Sequence, residues 1–229
     1  MLELEGTKGE VIAVPSVHLE WITPDAEFRI ARMARVSNPK NQDSREYVRL
    51  LRYLIKHKHW SPFEMACMCL EINCTREVAH QIVRHRSFSF QEFSQRYAEV
   101  PGIPVFCEAR MQHPTNRQAS VPCDNVVLED AWLSVQSRVW DECYFAYQWA
   151  LGQGIAKEVA RKLLPEGLTP TRLYMQGTIR SWLHYVQVRL EGSQNEHKQI
   201  ALLVQRVLRE QVPNIAEAFF DNDQGECND

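Results

Sequence analysis

The sequence lacks the features that mark membrane, secreted and polyanion-binding proteins. Its 229 residues contain no apolar run of the roughly eighteen residues that a membrane span needs. The first ten residues, MLELEGTKGE, lack the basic start and the apolar stretch of a signal peptide. The formal net charge is −3, so there is no overall basic field with which to hold a long polyanion. We therefore expect a cytoplasmic protein that binds neither membrane nor nucleic acid and whose anionic ligands are small.

Cysteine pairs and metal-ligand clusters are also absent. The seven cysteines are odd in number and form no CxxC pair, and Cys67 and Cys69 would point to the same face of a strand, which argues against a disulfide framework. A zinc site needs paired Cys or His residues at short spacing, and only His57 and His59 come close, between lysines. We expect no metal.

The usual catalytic and phosphate-binding motifs are missing as well. The chain has no GxGxxG or GxxxxGK loop, and no Ser-His-Asp or Cys-His order is visible. The cysteines lie in apolar surroundings, which disfavour a reactive thiolate. A bound nucleotide would therefore be held mainly by side chains, arginine above all.

Periodicity and capping signals predict a mixture of strands and helices in one domain. Thr23-Pro24 and Thr169-Pro170 are each typical of an N-cap followed by the first helical residue. Ser193 with Glu196 is typical of a capping box. Strands are predicted at 10–22 and 65–73, and helices at 24–35, 43–59, 75–86, 128–151, 155–165, 169–190 (bent near Gly177) and 193–213. The proline-rich segment 100–125 has the length of a binding loop or lid.

The stretch RHRSFSFQEFSQRY, residues 84–97, combines cations with three phenylalanines. Arginine grips phosphate or a planar heterocycle through two parallel hydrogen bonds. In the helix predicted for 75–86, Gln81, Arg84 and His85 would share one face. The alternative for any single arginine is a surface position with its stem lying on the core.

Two further groups of polar residues stand in otherwise apolar sequence. In the 169–190 helix, Arg180, His184 and Gln187 recur at helical spacing and would share a face. In HWSPFE, residues 59–64, Ser61 and Glu64 could form a helix cap, a functional site, or both.

Together these motifs resemble the flavin-dependent thymidylate synthase family. The family signature is RHR followed by seven or eight residues and then Ser, and here Arg84-His85-Arg86 precede Ser94 by seven residues. HWSPFE, Gln81, VARKLLP (159–165) and IRSWLHYVQVR (179–189) are similar to further family elements, in one collinear order over about 10–220.

The resemblance implies a fold, an assembly and a reaction. The fold is α+β, a single mixed domain over 1–229 with a central, mostly antiparallel sheet flanked by long helices. The assembly is a homotetramer with active sites shared between subunits. The reaction converts dUMP into dTMP with methylenetetrahydrofolate as one-carbon donor and a hydride from FAD, which NADPH reduces, and it needs no cysteine nucleophile.

The resemblance also assigns site residues by motif position. Arg189 would be catalytic, because a guanidinium against the uracil edge favours the ionised ring and raises electron density at C5. The residues implied for dUMP are Gln81, Arg84, Glu92, Ser94, Gln95, Arg96, Arg161 and Arg189. Those implied for FAD are His59, Ser61, Arg84, His85, Arg86, Glu92, Thr178, Arg180 and His184.

The sequence departs from the family pattern in two places. Thr178 and His184 stand where many members carry asparagine, and both can still donate hydrogen bonds to flavin or ribose oxygens. The segment EARMQHPTNRQAS, residues 108–120, is longer than in compact members and could cover the pocket.

Two alternatives stay open at the level of sequence. A nucleic-acid module could use the Arg/Phe stretch for base stacking, although the net charge opposes this. A diverged enzyme could keep the FAD and dUMP sites but use another methyl donor or another pyrimidine nucleotide.

Overall fold

The computed structural model describes residues 15–191 and 194–221, which group into two compact units. We call them the sheet unit and the helix unit. The sheet unit contains Ser16–Ile72, Gln81–Glu92 and the described part of Leu173–Asp229. The helix unit contains Asn73–His80 and Phe93–Arg172. The predicted single domain over 1–229 stays a prediction.

The main sheet has four strands in the order β1-β2-β6-β3. Strands β3 and β6 pair antiparallel with Phe88 opposite Gly177. A Cβ atom on Gly177 would lie 2.4 Å from the Phe88 ring, so only glycine fits beneath that ring. The strands are β1 (Ser16–Ile22), β2 (Cys67–Thr75), β3 (Phe88–Glu92) and β6 (Pro170–Thr178).

Helices complete the sheet unit around an apolar core. The fully buried residues include Met68, Leu173 and Trp182, and the Trp182 indole N–H donates to the Met68 carbonyl at 3.0 Å. Buried Glu27 accepts from the Ile215 backbone N–H at 3.0 Å, which satisfies an otherwise open donor at the start of α8. The helices are α1 (Ala26–Ala34), α2 (Val48–Lys56), α6 (Ile179–Leu190), α7 (Asn195–Gln211) and α8 (Pro213–Phe220), while α3 (Arg76–Ile82) runs across the unit boundary.

The helix unit is built on one long helix, α4 (Val126–Gly152), which begins where the Asn125 side chain accepts from the Leu128 N–H. Its core contains Trp140 and Tyr147, and the Tyr147 hydroxyl accepts from the Val100 N–H at 3.1 Å. Many apolar side chains of α4 remain exposed in the single chain. The unit also contains the hairpin of β4 (Arg110–Gln112) and β5 (Ser120–Pro122), and the short helix α5 (Lys157–Ala160).

The α+β class is confirmed, as are the helices at 24–35, 128–151 and 193–213, within a few residues at their ends. The helix predicted for 43–59 begins later, at Val48, and the short one at 155–165 divides into α5 and a 3-10 turn. The strand predicted at 65–73 is β2, and the described part of the 10–22 strand is β1. Residues 10–14, and the Ser193 half of the predicted capping box, lie outside the described residues.

The other local predictions fail for identifiable reasons. Residues 170–178 form the central strand β6 rather than the first half of a helix, because alternate side chains such as Leu173 and Met175 are buried. Thr23 is not a helix cap, since its hydroxyl accepts from the Cys67 N–H at 2.9 Å. Strands β3, β4 and β5 and helix α8 were not predicted.

No helix in 15–191 or 194–221 is long and apolar enough to cross a membrane. The predicted cytoplasmic location stays a prediction. Six cysteines have free thiols in the described chain, namely Cys67, Cys69, Cys74, Cys107, Cys123 and Cys143, and Cys227 lies outside it.

Candidate functional site

An open pocket of about 430 Å³ lies in the sheet unit. A volume of this size is typical of small-molecule sites. Aromatic and charged side chains share its walls, a mixture that suits a planar ligand carrying anionic groups. The lining residues are Arg180, Ser181, Leu183, His184 and Gln187 of α6, with Trp60, Glu64, Ser87 and Phe219.

Helix α6 presents one polar face to this pocket. The helix begins at Ile179 because the Thr178 hydroxyl accepts from the Ser181 N–H at 3.2 Å. Ile179, Trp182 and Val186 are fully buried on the opposite side. The prediction that Arg180, His184 and Gln187 share a face is therefore confirmed.

Arg180 forms an ion pair with Glu64 in the pocket wall. About half of the Arg180 side chain is exposed, and a guanidinium has five N–H donors, so donors remain for an anionic ligand. The prediction of a capping box at Ser61 and Glu64 is wrong, since Ser61 starts a 3-10 turn without a side-chain cap. Glu64 instead orients the arginine.

Arg189 and His85 are joined by a hydrogen bond. The Arg189 Nε–H donates to His85 Nε2 at 2.8 Å. Burial, followed by the electrostatic effects of Arg189 and His184, lowers the pKa of His85 to about 4, so the ring is neutral at pH 7. Because Nε2 accepts, the His85 proton resides on Nδ1. The bond fixes the plane of the Arg189 guanidinium and leaves its two terminal nitrogens for a ligand.

The RHR segment lies in a turn rather than on a helix. Helix α3 ends at Ile82, so the prediction that Gln81, Arg84 and His85 share a helical face is wrong. Arg84 and Arg86 are exposed, and within 15–191 and 194–221 neither makes an ion pair. Two free guanidinium groups in a turn are available to a phosphate-bearing ligand.

The helix unit contributes a second group of predicted residues. Ser94 begins a turn in which its hydroxyl accepts from the Arg96 N–H at 3.4 Å. The Arg96 side chain is 61% exposed and lies 3.4 Å from the Glu158 carboxylate. Gln95 is only 4% exposed, and its Nε2 has no hydrogen-bond partner in the described chain. An unpaired buried donor is costly unless a ligand completes it.

The predicted residues therefore divide between the units. All nine residues predicted for FAD belong to the sheet unit, and Arg180 and His184 line the pocket. His59 belongs to the same unit, and its ring lies 6.0 Å from that of Tyr53. Of the residues predicted for dUMP, the sheet unit contains Gln81, Arg84, Glu92 and Arg189, and the helix unit contains Ser94, Gln95, Arg96 and Arg161.

Some pocket residues were not assigned to a ligand from the sequence. Gln187 was placed on one face with Arg180 and His184 by its helical spacing, and that spacing was a sufficient signal. Trp60 and Phe219 have ring centroids 5.8 Å apart, although 159 positions separate them in the chain, and no local pattern connects them. In the part of the chain that the structure describes, no three His, Cys, Asp or Glu side chains cluster as a metal site would require.

Comparison with known proteins gives consistent matches. The model of the family described as thymidylate synthase complementing protein matches residues 18–214. A probable flavin-dependent thymidylate synthase of Paramecium bursaria Chlorella virus 1 is 47% identical over 198 residues, covering 85% of this chain and 90% of that protein. The flavin-dependent thymidylate synthase of Synechocystis is 43% identical over 206 residues, covering 90% of this chain and 94% of that protein.

A solved structure has the same fold. The UMP/dUMP methylase PolB from Streptomyces cacaoi, bound with 5-Br dUMP, superposes with a TM-score of 0.82 at 25% identity. The superposition covers 91% of this chain and 96% of that one. The fold implied by the sequence motifs is confirmed.

Proposed function

The chain belongs to the flavin-dependent thymidylate synthase family, and on that premise we propose that it converts dUMP into dTMP. Methylenetetrahydrofolate would provide the carbon, and NADPH would reduce the bound FAD. The observation that carries the proposal is the shared polar face of Arg180, His184 and Gln187 in the α6 pocket. A cation, an imidazole and an amide beside aromatic walls suit a flavin dinucleotide.

The donor set of the sheet unit fits FAD. Arg180 and the free guanidinium groups of Arg84 and Arg86 would bind its phosphates. His184, Thr178 and Ser61 can donate to ring or ribose oxygens, with Trp60 and Phe219 against the planar system. Glu92, His59 and His85 complete the set predicted from the motifs. When bound and reduced, FAD supplies the hydride that completes the methyl group.

For dUMP, we propose that one group of predicted residues binds the phosphate and another binds the ribose and base. Arg96 and Arg161 would bind the phosphate beside Ser94, and the buried Nε2 of Gln95 would donate to the nucleotide. Arg189, Gln81, Arg84 and Glu92 would surround the ribose and uracil. The phosphate group adds binding energy, whereas the groups at the ring act on the chemistry.

Arg189 is the residue we propose to activate the ring. Its Nε is occupied by His85, so the two terminal nitrogens can form a planar pair of hydrogen bonds to the uracil edge. Positive charge there stabilises an ionised N3 and raises the electron density at C5, where the carbon must attach. No thiol is needed for this step, and burial raises the pKa of Cys69 above its usual range.

We also propose a homotetramer with shared active sites. Exposed apolar side chains on α4 support an interface with further copies of the chain, since large apolar surfaces of this kind are rarely left in water. They include Leu133, Phe145 and Trp149, which are 50%, 74% and 57% exposed. Sedimentation equilibrium would measure the assembled mass, and a monomer would refute this part of the proposal.

The test is formation of dTMP from dUMP, methylenetetrahydrofolate, FAD and NADPH, with each component omitted in turn. We expect product only in the complete mixture. UMP should be assayed in parallel, because the structurally similar PolB is named as a UMP/dUMP methylase. Product from UMP alone, or from a different methyl donor, would replace the proposed activity with that of a diverged enzyme. No product with FAD and dUMP bound would refute it.

A further inference from the structure

A buried histidine lies behind the predicted nucleotide residues of the sheet unit. His197, on the first turns of α7, is fully buried. Its Nδ1 lies 3.3 Å from Gln81 Oε1, and its Nε2 lies 3.1 Å from the Tyr185 hydroxyl. On its other side, the Gln81 amide donates from Nε2 to Gln194 Oε1 at 2.7 Å. The four side chains form one continuous chain of hydrogen bonds.

The hydrogen-bond partners fix the direction of each bond. Gln81 Oε1 can only accept, so His197 must carry its proton on Nδ1. Burial, followed by the charge of Arg189 and a smaller effect of the His85 ring, lowers the pKa of His197 to about 3, and the ring is therefore neutral at pH 7. A neutral ring with its proton on Nδ1 must accept at Nε2, so the Tyr185 hydroxyl donates to it.

These hydrogen bonds determine which atoms of Gln81 remain for a ligand. A glutamine amide has two N–H donors and two acceptor sites on its oxygen. Within 15–191 and 194–221, one donor is given to Gln194 and one acceptor site to His197. Gln81 is half-buried rather than fully buried, and its amide is held at both ends with one N–H left over. Such a group is ready to donate to an oxygen of a nucleotide.

We propose that His197 is a positioning residue for nucleotide binding, acting through the Gln81 amide that its Nδ1–H holds in one orientation. The proposal rests on the proposed function, in which Gln81 contacts dUMP. Without His197 the amide can rotate and present its oxygen, which repels the oxygen acceptors of the nucleotide. The alternative is that His197 only fills the core, in which case its hydrogen-bond direction is irrelevant.

Two substitutions at the same site separate these roles. In His197→Asn, the amide nitrogen occupies the place of Nδ1 and can still donate to Gln81. In His197→Gln, the longer side chain carries its amide to the place of Nε2 and loses Gln81. Both variants replace an imidazole by a neutral amide, so each is a matched control for the other.

The measurements are the dUMP dissociation constant of the FAD-loaded protein, by titration calorimetry, and steady-state dTMP formation. One lost hydrogen bond corresponds to about tenfold in affinity. We expect His197→Gln to raise KM and Kd for dUMP about tenfold with near-normal kcat, and His197→Asn to stay within about threefold of the wild type. In a Gln81→Ala background, the two His197 variants should bind dUMP equally, because the Gln81 amide through which His197 acts is absent.

Equal loss of dUMP affinity in both single variants, or a difference that persists without Gln81, would overturn the proposal. Should the His197 variants not fold, Gln194→Met releases the opposite end of the amide at a half-buried position. It should weaken dUMP binding by a similar factor, and unchanged affinity would overturn the proposal as well. Failure of the wild-type protein to bind dUMP would instead refute the proposed function.

Discussion

Arg180 and Arg189 of the sheet unit are held in place more fully than the predicted nucleotide residues of the helix unit. In the sheet unit, Arg180 is paired with Glu64 and Arg189 with His85. In the helix unit, Arg96 is 61% exposed beside Glu158, and the Gln95 amide nitrogen has no partner in the described chain. Groups that act on the reacting ring gain most from a fixed position, whereas phosphate contacts tolerate adjustment. We therefore propose that activation of the ring depends on Arg189 and that binding of the phosphate depends on the arginines of the helix unit.

The strongest test of this comparison is Arg189→Ala. Removing one preorganised electrostatic group lowers kcat by about a hundredfold or more. We expect that loss at saturating dUMP, with FAD still bound. Arg189→Lys should recover little, because an ammonium cannot form the planar pair of hydrogen bonds. Steady-state dTMP formation, with flavin absorbance as the loading control, gives the answer. A raised KM with near-normal kcat would transfer the activating role to another group.

A substitution at Gly177 should destabilise the sheet unit. An added Cβ would lie 2.4 Å from the Phe88 ring, so Gly177→Ala must displace that ring or the strand pair. Overpacking of this kind costs about 1–3 kcal/mol of unfolding free energy. The matched control is Gly152→Ala in the helix unit, where nothing lies within 4 Å of the added atom. Chemical denaturation should show a loss only at Gly177, and equal stabilities would show that the contact is relieved freely.

Arg96→Ala tests the predicted phosphate contact of the helix unit. Its guanidinium is exposed and weakly paired, so its loss should leave catalysis at the ring intact. We expect KM for dUMP to rise about tenfold, with kcat recovered at high substrate. A kcat loss as large as that of Arg189→Ala would contradict the division between binding and activation.

The buried histidine of the sheet unit predicts a dependence of stability on pH. The pKa of His197 is about 3 in the folded chain and about 6.5 when unfolded, so only the unfolded chain takes up this proton between those values. The contribution of the neutral His197 to the free energy of unfolding is fully present above about pH 6.5 and is lost as the pH falls. Between pH 7 and pH 5 we expect the free energy of unfolding of the wild type to fall by about 1–2 kcal/mol through this histidine, a decrease that His197→Asn should not show. Identical pH profiles for wild type and variant would show that His197 is protonated in the folded protein.

The smallest effects are expected at the cysteines. Single replacements by Ser or Ala at Cys67, Cys69, Cys74, Cys107, Cys123, Cys143 or Cys227 should leave measurable turnover, although buried positions such as Cys69 could lose stability through poorer packing. Turnover assays on flavin-loaded variants check this. Complete loss in one folded variant would indicate a thiol in the mechanism.

Local spacing predicted the polar face of α6 because a helix repeats every 3.6 residues regardless of its surroundings. The same reasoning missed β6, where Thr169-Pro170 imitated a helix start while Leu173 and Met175 already alternated as in a strand. It also missed β3, although the spacing of two between Phe88 and Phe90 is typical of a strand.

Contacts between distant segments could not be predicted from local sequence. Arg189 and His85 are 104 positions apart, and Gln81 and His197 are 116 apart. Motif resemblance predicted site roles for Arg189, His85 and Gln81 because these residues belong to sequence elements that resemble those of the family. It gave no reason to single out His197, whose role depends on burial and on the direction of its hydrogen bonds.

Release of the C5 hydrogen of dUMP is the most direct test of the central claim, that this chain joins a carbon to C5 of the uracil ring. The protein is incubated with dUMP carrying tritium at C5, and the label appearing in water is counted. We predict release that requires methylenetetrahydrofolate, FAD and NADPH together and that falls about a hundredfold in Arg189→Ala. Absence of release from wild-type protein with FAD and dUMP bound would contradict the account.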